Sequence, residues 1–337
     1  MLLHLLCVHS LHRVHLIELL PTPFLHTEQG HLPEGINYFW KHYVRYLSFH
    51  RLPELKAGNV CISNVDKINQ IVKKFISDGP DKLQIVTDFD QTLTMHSYQN
   101  KRCDSCHGVL DNSSYLPDDF RVKAAKLRDI YAPIEFDPHI ETEKKAPKME
   151  EWWTQVHELL GTLNISKSLI NKMVAQSSVR LRIGCDELFK SLDKWNVPVL
   201  IISAGLGDIL SEILTQQSAV YSNMKIVSNF MKFKEDKMVG FYDEIIHTFN
   251  KNKCAIHKSG YFNNQRSNII LLGDSVGDLH LADGAKDSST ILKIGYLNER
   301  VDESLEIYKN AFDIVLVKTE NVDLMNALMK RMTDNKV

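Results

Sequence analysis

Apolar residues along the chain form short continuous runs that are separated by longer stretches with helical spacing. Four runs rich in β-branched residues predict buried strands at Leu83–Thr87, Val197–Ser203, Asn268–Gly273 and Ile291–Gly295, and a fifth strand is predicted at Asp313–Val317. Strands that alternate with helices indicate an α/β fold with a doubly wound, mainly parallel sheet. The carboxyl ends of such strands share one edge of the sheet, and ligands bind along that edge.

Helices are predicted between the strands, for example at Asp186–Trp195 and Gly207–Gln216. The long segment between the first two strands differs, because its patterns are mostly helical. They lie at Pro117–Tyr131, Met149–Leu160 and Ser166–Gln176, and the first of them opens with a proline, which suits a first helical residue. A helical block inserted here would cover the carboxyl edge of the sheet as a lid.

The patterns divide the chain into three parts. Residues 1–51 form an N-terminal extension of uncertain order that holds eight of the fifteen histidines. Residues 52–98 and 196–337 form the core that contains the sheet, and residues 99–195 form the mainly helical cap. The histidine spacings in the extension are irregular, which favours a spacer over a metal-binding tract.

Composition narrows the classes of partner. The formal net charge of the 337 residues is −2 and no long Lys/Arg block occurs, which argues against a nucleic-acid polymer as partner. Six cysteines, of which Cys103 and Cys106 lie close together, fit a reducing compartment better than a disulfide scaffold. Without a long apolar run or a signal-peptide pattern at residues 1–20, we expect no membrane partner and a cytoplasmic location.

Polar residues cluster where the predicted strands end. The first strand runs into DFDQT, the second into SAG, and the strand at Asn268–Gly273 into GDSVGD. Taken singly, each has an ordinary explanation as a helix cap, a tight turn or a solvated surface lysine. The whole set, in order and at strand ends, indicates a catalytic site, and its members are Asp88, Asp90, Ser203, Ala204, Lys251, Asp274 and Asp278.

This set suits the hydrolysis of a phosphate ester. One carboxylate can attack phosphorus, and a second can protonate the leaving alkoxide and later activate water. Two adjacent aspartates repel each other unless a cation lies between them, and carboxylate and phosphate oxygens suit Mg²⁺. A serine hydroxyl, backbone N–H groups and a lysine would bind the phosphate oxygens.

The motif DFDQT, followed in order by Ser203, Lys251 and GDSVGD, resembles the four motifs of the haloacid-dehalogenase superfamily of aspartate-nucleophile phosphatases. The resemblance implies that Asp88 is the nucleophile and Asp90 the general acid/base. It further implies Mg²⁺ ligands at Asp88, Asp90 and Asp274, phosphate-binding groups at Ser203, Ala204 and Lys251, and Asp278 behind the ligands.

Longer matches narrow the resemblance. The segments DFDQTLTxxSYxxKRCxSCHxxLDN, YAPIEFDP, EWWTQVH and IIHTFNKN are similar to the cytosolic type III 5'-nucleotidases, from about Leu52 to the C-terminus. That family hydrolyses pyrimidine nucleoside monophosphates, and one branch takes 7-methylguanosine monophosphate. The resemblance implies a monomer whose cap binds the base through Glu135, with His107 and Trp153 as candidates for base stacking.

The choice between the two branches is open in the sequence, because Gln91, His96 and Val156 depart from the family pattern. The pair Trp152-Trp153 and the segment SGYF at 259–262 favour the methylguanosine branch. A glutamate can accept hydrogen bonds from a cytosine amine or from guanine N–H groups, and a positively charged methylated guanine gains from an indole face. The ordinary alternatives are a solvated charge for the glutamate and plain cap core for the indole.

Other functions are compatible with some of these motifs. A phosphatase for phosphoserine or another small phosphoester would share the four motifs, and a non-catalytic nucleotide-binding module could share the fold. The complete set of strand-end residues argues against the binding module. Phosphate transfer to a nucleoside is a side activity that the family resemblance allows. CxxCH at 103–107 has the spacing of haem attachment or of half a zinc site, but neither an export context nor another ligand pair is evident.

Overall fold

The computed structural model describes residues 52–137, 139–252, 261 and 266–334, so the predicted extension at 1–51 lies outside the described residues. The strands are β1 (Val60–Ile62), β2 (Leu83–Thr87), β3 (Ser97–Tyr98), β4 (Lys101–Arg102), β5 (Val199–Leu206), β6 (Met224–Asn229), β7 (Met231–Lys234), β8 (Lys237–Phe241), β9 (Asn268–Gly273), β10 (Thr290–Leu297) and β11 (Ile314–Val317). The α-helices of the described part are α1 (Val65–Asp78), α2 (Cys106–Asp111), α3 (Asp118–Phe136), α4 (Thr142–Gly161), α5 (Lys167–Gln176), α6 (Cys185–Lys194), α7 (Gly207–Gln217), α8 (Val301–Ala311) and α9 (Asp323–Thr333).

Seven strands form the central sheet, in the order β1-β11-β10-β9-β2-β5-β6. β1 pairs antiparallel with β11, and the other neighbouring pairs in this sheet are parallel. The predicted α/β fold with a mainly parallel sheet is therefore confirmed. β2 and β9 are buried along their whole length, which is why both appear in the sequence as continuous runs rather than as alternating ones.

The register of three adjacent strands determines where polar residues meet. Thr87, the last residue of β2, pairs with Leu272 on β9 and with Ile201 on β5. The backbone N–H of Asp88 then donates to the carbonyl of Leu272 at 3.1 Å, so the chain leaving β2 stays against β9. The segments that follow these three strands are thereby placed at one edge of the sheet.

Several elements differ from the sequence prediction. β5 begins and ends later than Val197–Ser203, and its register is irregular between Ile202 and Leu206. Ser203, Ala204 and Gly205 therefore belong to the strand and do not form a tight turn. The apolar patterns do not predict β6 to β8, because lysines interrupt the apolar residues of β6 and β7 and because the apolar run of β8 is short and contains a glycine.

Helices α2 to α6 lie in residues 99–195, the segment that we predict to be the cap. Pro117 is the N-cap residue of α3 and not its first helical residue. α3 and α4 are longer than their apolar patterns, and they contain Pro133 and Pro147, respectively. α3 packs against α4, and α4 packs against β8, whereas α6 packs against α9. Among the described residues, no helix is both long enough and apolar enough to cross a membrane.

Candidate active site

Three carboxylates meet at the carboxyl edge of the sheet. Asp88 directly follows β2, Asp274 directly follows β9, and Asp278 lies in the 3-10 helix Val276–Ala282. One oxygen from each lies within 4.8 Å of the others. Among the described residues, these three side chains are the group close enough together to bind a metal ion. Gly273 makes the arrangement possible, because a Cβ at this position would overlap the side chain of Asp278.

Asp278 forms hydrogen bonds with Ser275 at the start of its own 3-10 helix as well as with Lys251 in the site. Ser275, not Asp278, is the N-cap residue of the 3-10 helix. Oδ2 of Asp278 accepts hydrogen bonds from the backbone N–H of Ser275 at 3.0 Å and from its hydroxyl at 2.9 Å. The other oxygen, Oδ1, is thereby oriented towards Lys251, whose Nζ lies 3.2 Å away.

Lys251 supplies positive charge to this acidic group. Its Nζ lies 2.6 Å from Oδ1 of Asp88, and the lysine side chain is 12% exposed. Burial lowers the pKa of Lys251, but the charges of Asp278 and Asp88 outweigh burial, and the net effect is a raised pKa. Lys251 therefore remains a cation at neutral pH and holds the Asp88 carboxylate by a charge-assisted hydrogen bond.

One lysine does not balance three carboxylates. Burial raises the pKa of Asp88 to about 7, although Lys251 opposes this shift, and the nearby charge of Asp278 adds to it. Burial, followed by the charge of Asp88, also raises the pKa of Asp274 well above its usual range. A crowded set of hard oxygen donors with excess negative charge is the environment that a divalent cation such as Mg²⁺ requires.

Asp90 lies next to this group but has a different partner. Its Oδ1 accepts a hydrogen bond from the backbone N–H of Cys106 at 2.8 Å, at the start of α2. Burial raises the pKa of Asp90, and the hydrogen bonds from Cys106 oppose the shift. Its carboxylate is not part of the three-carboxylate group, so a metal-ligand role for Asp90 stays a prediction. A raised pKa suits a carboxyl group that must donate a proton.

The predicted phosphate-binding residues occupy the end of β5. Ser203 is buried, and its Oγ accepts a hydrogen bond from the backbone N–H of Gly205 at 2.9 Å. The carbonyl of Ala204 accepts one from Nδ2 of Asn229 at 2.8 Å. A Cβ at Gly205 would come within 3.1 Å of Oδ2 of Asp90, so the strand passes close to the acid/base candidate.

Sequence did not single out two residues, one beside the carboxylates and one that holds the loop after Asp90. The hydroxyl of Thr92 lies 3.4 Å from Oδ2 of Asp88 and 3.4 Å from Oδ1 of Asp274. The guanidinium of Arg182 donates to the carbonyls of Gln91 at 2.6 Å and Thr92 at 2.8 Å, and so holds the loop after Asp90. Thr92 lies within DFDQT, but Arg182 belongs to no recognisable motif and could not be found from local pattern.

Aromatic side chains of the cap form a stack. The rings of His107 and Trp153 are 4.3 Å apart, those of Trp153 and Trp152 are 5.1 Å apart, and Tyr131 continues the stack at 5.8 Å from Trp152. Trp152 is buried and packs as cap core, whereas Trp153 lies at the partly exposed end of the indole pair. The structure thus brings the two stacking candidates, His107 and Trp153, into direct contact.

Polar atoms in this stack have no hydrogen-bond partner among the described residues. They are Nε2 of His107, Nε1 of Trp153 and Nε2 of the neighbouring His157, and all three are buried. Burial lowers the pKa of His107 to about 3 and that of His157 to about 4, so both rings are neutral at physiological pH. Buried polar atoms normally have partners, so these three atoms are polar groups in one region that the described residues leave without a hydrogen bond.

The string CxxCH is accounted for by the packing of these residues. Cys103 and Cys106 are buried free thiols, and the backbone of Cys106 contacts Asp90. His107 stacks on Trp153, and among the described residues no further metal ligand joins the two cysteines.

Glu135, the candidate base-contacting residue, lies near the end of α3, one turn after Tyr131. Its Oε1 accepts a hydrogen bond from the hydroxyl of Thr248 at 2.6 Å, and its backbone carbonyl accepts one from Nζ of Lys145 at 2.8 Å. Thr248 lies in the turn that leads to Lys251, so this contact joins the cap to the phosphate end of the site. Sequence reasoning did not single out Thr248.

The mainly parallel sheet has the fold of the haloacid-dehalogenase hydrolases. A hydrolase of that family from Salmonella enterica shares this fold, with a TM-score of 0.50 at 14% identity over 75% of this chain and 73% of that chain. The family model described as "Pyrimidine 5'-nucleotidase (UMPH-1)" matches residues 91–333.

Relatives of higher identity agree with this match. The human 7-methylguanosine phosphate-specific 5'-nucleotidase is 42% identical over 281 residues, which are 82% of this chain and 94% of the relative. The crystal structure of cytosolic 5'-nucleotidase IIIB bound to cytidine matches with a TM-score of 0.79 at 33% identity, over 86% of this chain and 98% of that chain. The chain belongs to the pyrimidine 5'-nucleotidase (UMPH-1) family and is a 5'-nucleotidase, a phosphoric monoester hydrolase.

Proposed function

We propose that this 5'-nucleotidase depends on Mg²⁺, with Asp88 and Asp274 as side-chain ligands. The single observation that carries the proposal is the meeting of three carboxylates within 4.8 Å, with Lys251 as their cationic partner. A bound Mg²⁺ would neutralise this charge and polarise the phosphate. Asp278, held by Ser275 and Lys251, would support the ligands from behind, and Asp90 is the remaining ligand candidate.

The residues of the chain then share the reaction as follows. Asp88 attacks phosphorus, a bond forms between its carboxylate oxygen and phosphorus, and the bond from phosphorus to the nucleoside 5'-oxygen breaks. Asp90 gives its proton to that leaving oxygen and later takes a proton from the water that hydrolyses the aspartyl-phosphate. Support comes from the raised pKa of Asp90, because burial favours the protonated form of this carboxyl and so makes it a better proton donor to the leaving oxygen.

The negatively charged oxygens of the transferred phosphoryl group need hydrogen-bond donors and positive charge to bind them. Lys251 is a cation beside Asp88, and the hydroxyl of Ser203 and the backbone after it lie at the end of the adjacent strand. We propose that Ser203, Ala204 and Lys251 bind the phosphate oxygens, and that the hydroxyl of Thr92 helps to orient Asp88. Fixed donors of this kind stabilise developing charge without reorganising during the reaction.

The base of the substrate is proposed to bind against the cap stack. His107 and Trp153 offer ring faces, and their orphan ring nitrogens, with the carboxylate of Glu135, offer polar contacts. We propose CMP, UMP and 7-methyl-GMP as substrates, with the indole faces favouring the positively charged methylated base. Neutral histidines do not repel that charge. By similarity to the cytosolic relative we propose a cytoplasmic location. The monomer that the family resemblance implies stays a prediction.

The test is phosphate release with Mg²⁺ from CMP, UMP, 7-methyl-GMP, GMP and phosphoserine. We expect turnover of CMP, UMP or 7-methyl-GMP by the wild type and none by Asp88→Asn, because an amide cannot act as the nucleophile. Asp186→Asn, the same change on the exposed surface of α6, serves as the control and is expected to keep full activity. Turnover by Asp88→Asn, or turnover of phosphoserine alone, would contradict the proposal.

A further inference from the structure

The contact between Thr248 and Glu135 links two parts of the site that are 113 positions apart in sequence. Glu135 belongs to the cap helix α3, whereas Thr248 lies three residues before Lys251, whose Nζ contacts Asp88. The distance of 2.6 Å between Thr248 Oγ1 and Glu135 Oε1 is that of a charge-assisted hydrogen bond from a hydroxyl to a carboxylate. Both residues are partly buried, so water competes only in part for this bond.

The turn that carries Thr248 is itself held in place. The backbone N–H of His247 donates to Oδ1 of Asn250 at 2.8 Å, and Nδ2 of Asn250 donates to the carbonyl of Ile245 at 2.9 Å. The backbone N–H of Asn250 donates in turn to the carbonyl of His247 at 3.1 Å. Thr248 is therefore a well-anchored donor, and the more flexible partner, the glutamate side chain, takes its orientation from it.

Glu135 is also fixed at its backbone. Lys145, a buried residue of α4, donates from Nζ to the carbonyl of Glu135 at 2.8 Å, and its ammonium lies 5.5 Å from the centre of the Phe249 ring. With Lys145 on the main chain and Thr248 on Oε1, Oε2 is the carboxylate oxygen that no described residue engages. One free oxygen in a set direction is what a base with an N–H donor needs.

We propose that Thr248 is a specificity-determining residue, which presents the Glu135 carboxylate to bases that carry N–H donors, such as cytosine and guanine. The inference rests on the proposed base-binding role of Glu135 and deepens it. Without the threonine hydroxyl, the glutamate would sample several rotamers and would pay conformational entropy on binding the base. We expect the phosphoryl end of the site to be unaffected, because among the described residues the hydroxyl of Thr248 contacts Glu135 and no phosphate-binding residue.

The test is the pair Thr248→Val and Thr248→Ser, since valine keeps the shape without the hydroxyl and serine keeps the hydroxyl. We expect Thr248→Val to lower kcat/KM about tenfold for CMP and 7-methyl-GMP, mainly through KM, because one charge-assisted hydrogen bond is lost. Ribose 5-phosphate and para-nitrophenyl phosphate, which lack a nucleobase, should be hydrolysed as by the wild type. Thr248→Ser should keep wild-type values on every substrate.

A double variant tests whether the effect passes through the glutamate. Adding Thr248→Val to Glu135→Gln should cause little further loss, because the charged partner is already gone. Three results would overturn the inference. They are an equal loss of activity on ribose 5-phosphate, a Thr248→Ser variant as impaired as Thr248→Val, and effects of Thr248→Val and Glu135→Gln that add fully. If Thr248→Val turns over nucleotides as the wild type does, the inference is wrong but the proposed function stands. If the wild type is inactive on every nucleotide, the proposed function is wrong as well.

Discussion

Replacing Arg182 with methionine is predicted to be the most damaging single change outside the reacting groups. Its side chain is fully buried and donates hydrogen bonds to the carbonyls of Gln91, Thr92 and Thr319, to Oδ1 of Asn298, and to Oε2 of Glu320. The guanidinium also lies 4.1 Å from the centre of the Tyr296 ring. Methionine fills much of the volume but satisfies none of these acceptors.

The size of the loss follows from what is left behind. Breaking a buried ion pair by removing one partner costs about 3–5 kcal/mol. Glu320 keeps hydrogen bonds from the backbone N–H groups of His96 at 3.1 Å and Ser97 at 2.8 Å, and its side chain is 25% exposed, so part of its charge stays solvated. We therefore expect a loss of about 3 kcal/mol in the free energy of unfolding, out of about 5–15 kcal/mol for an ordinary protein.

The assay is urea denaturation of the wild type, Arg182→Met and Arg182→Lys, followed by circular dichroism. Lysine restores the charge but not the planar fork, so Arg182→Lys should lie between the other two. Lys190→Met, which removes an exposed cation on α6, is the control and should unfold like the wild type. In kinetics, Arg182→Met should lower kcat more than it raises KM, because Thr92 and its contact with Asp88 lose their support.

An unfolding free energy of Arg182→Met within about 1 kcal/mol of the wild-type value would refute the reasoning. A loss that small is typical of substitutions at exposed positions, not of a removed buried ion-pair partner. Unchanged kcat in a folded Arg182→Met protein would refute the positioning role in particular. Either result would mean that the backbone of this loop is determined by its own turn and not by the guanidinium.

Three further predictions concern the metal, the edge of the sheet and the cap. Chelation with EDTA should abolish turnover and added Mg²⁺ should restore it; activity that survives chelation would exclude the proposed cation. Gly273→Ala should lower kcat about a hundredfold by displacing Asp278, whereas Gly161→Ala, where a Cβ meets nothing within 4 Å, should be active; equal activity of both would contradict the close approach. Since burial lowers the pKa of His157 to about 4, its contribution to stability is full above about pH 6.5 and is lost as pH falls towards 4. His157→Phe keeps the stack on Phe241. Between about pH 6.5 and about pH 4 its unfolding free energy should fall less than that of the wild type, by up to about 1.4 kcal/mol per pH unit. Equal falls for the two proteins in denaturation at each pH would contradict this prediction.

Local sequence determined the frame of the site. β2 and β9 have the predicted bounds because each is a continuous apolar run, buried on both faces and ended by polar residues. Asp88 and Asp274 follow these two strands directly, and parallel pairing then requires both to lie at the same edge. Short-range pattern and one topological rule were enough, since strand ends are local and parallel register brings them together.

Tertiary structure decided the contacts that pattern cannot express. The adjacent Trp152 and Trp153 are equivalent in the sequence, and both join the stack, but only the packing of α4 buries the first and leaves the second partly exposed. The hydrogen bond of Arg182 to the carbonyl of Gln91 spans 91 positions, and that of Thr248 to Glu135 spans 113. Such pairs depend on how the cap lies on the sheet, a property of the whole folded chain that no periodicity in one segment records.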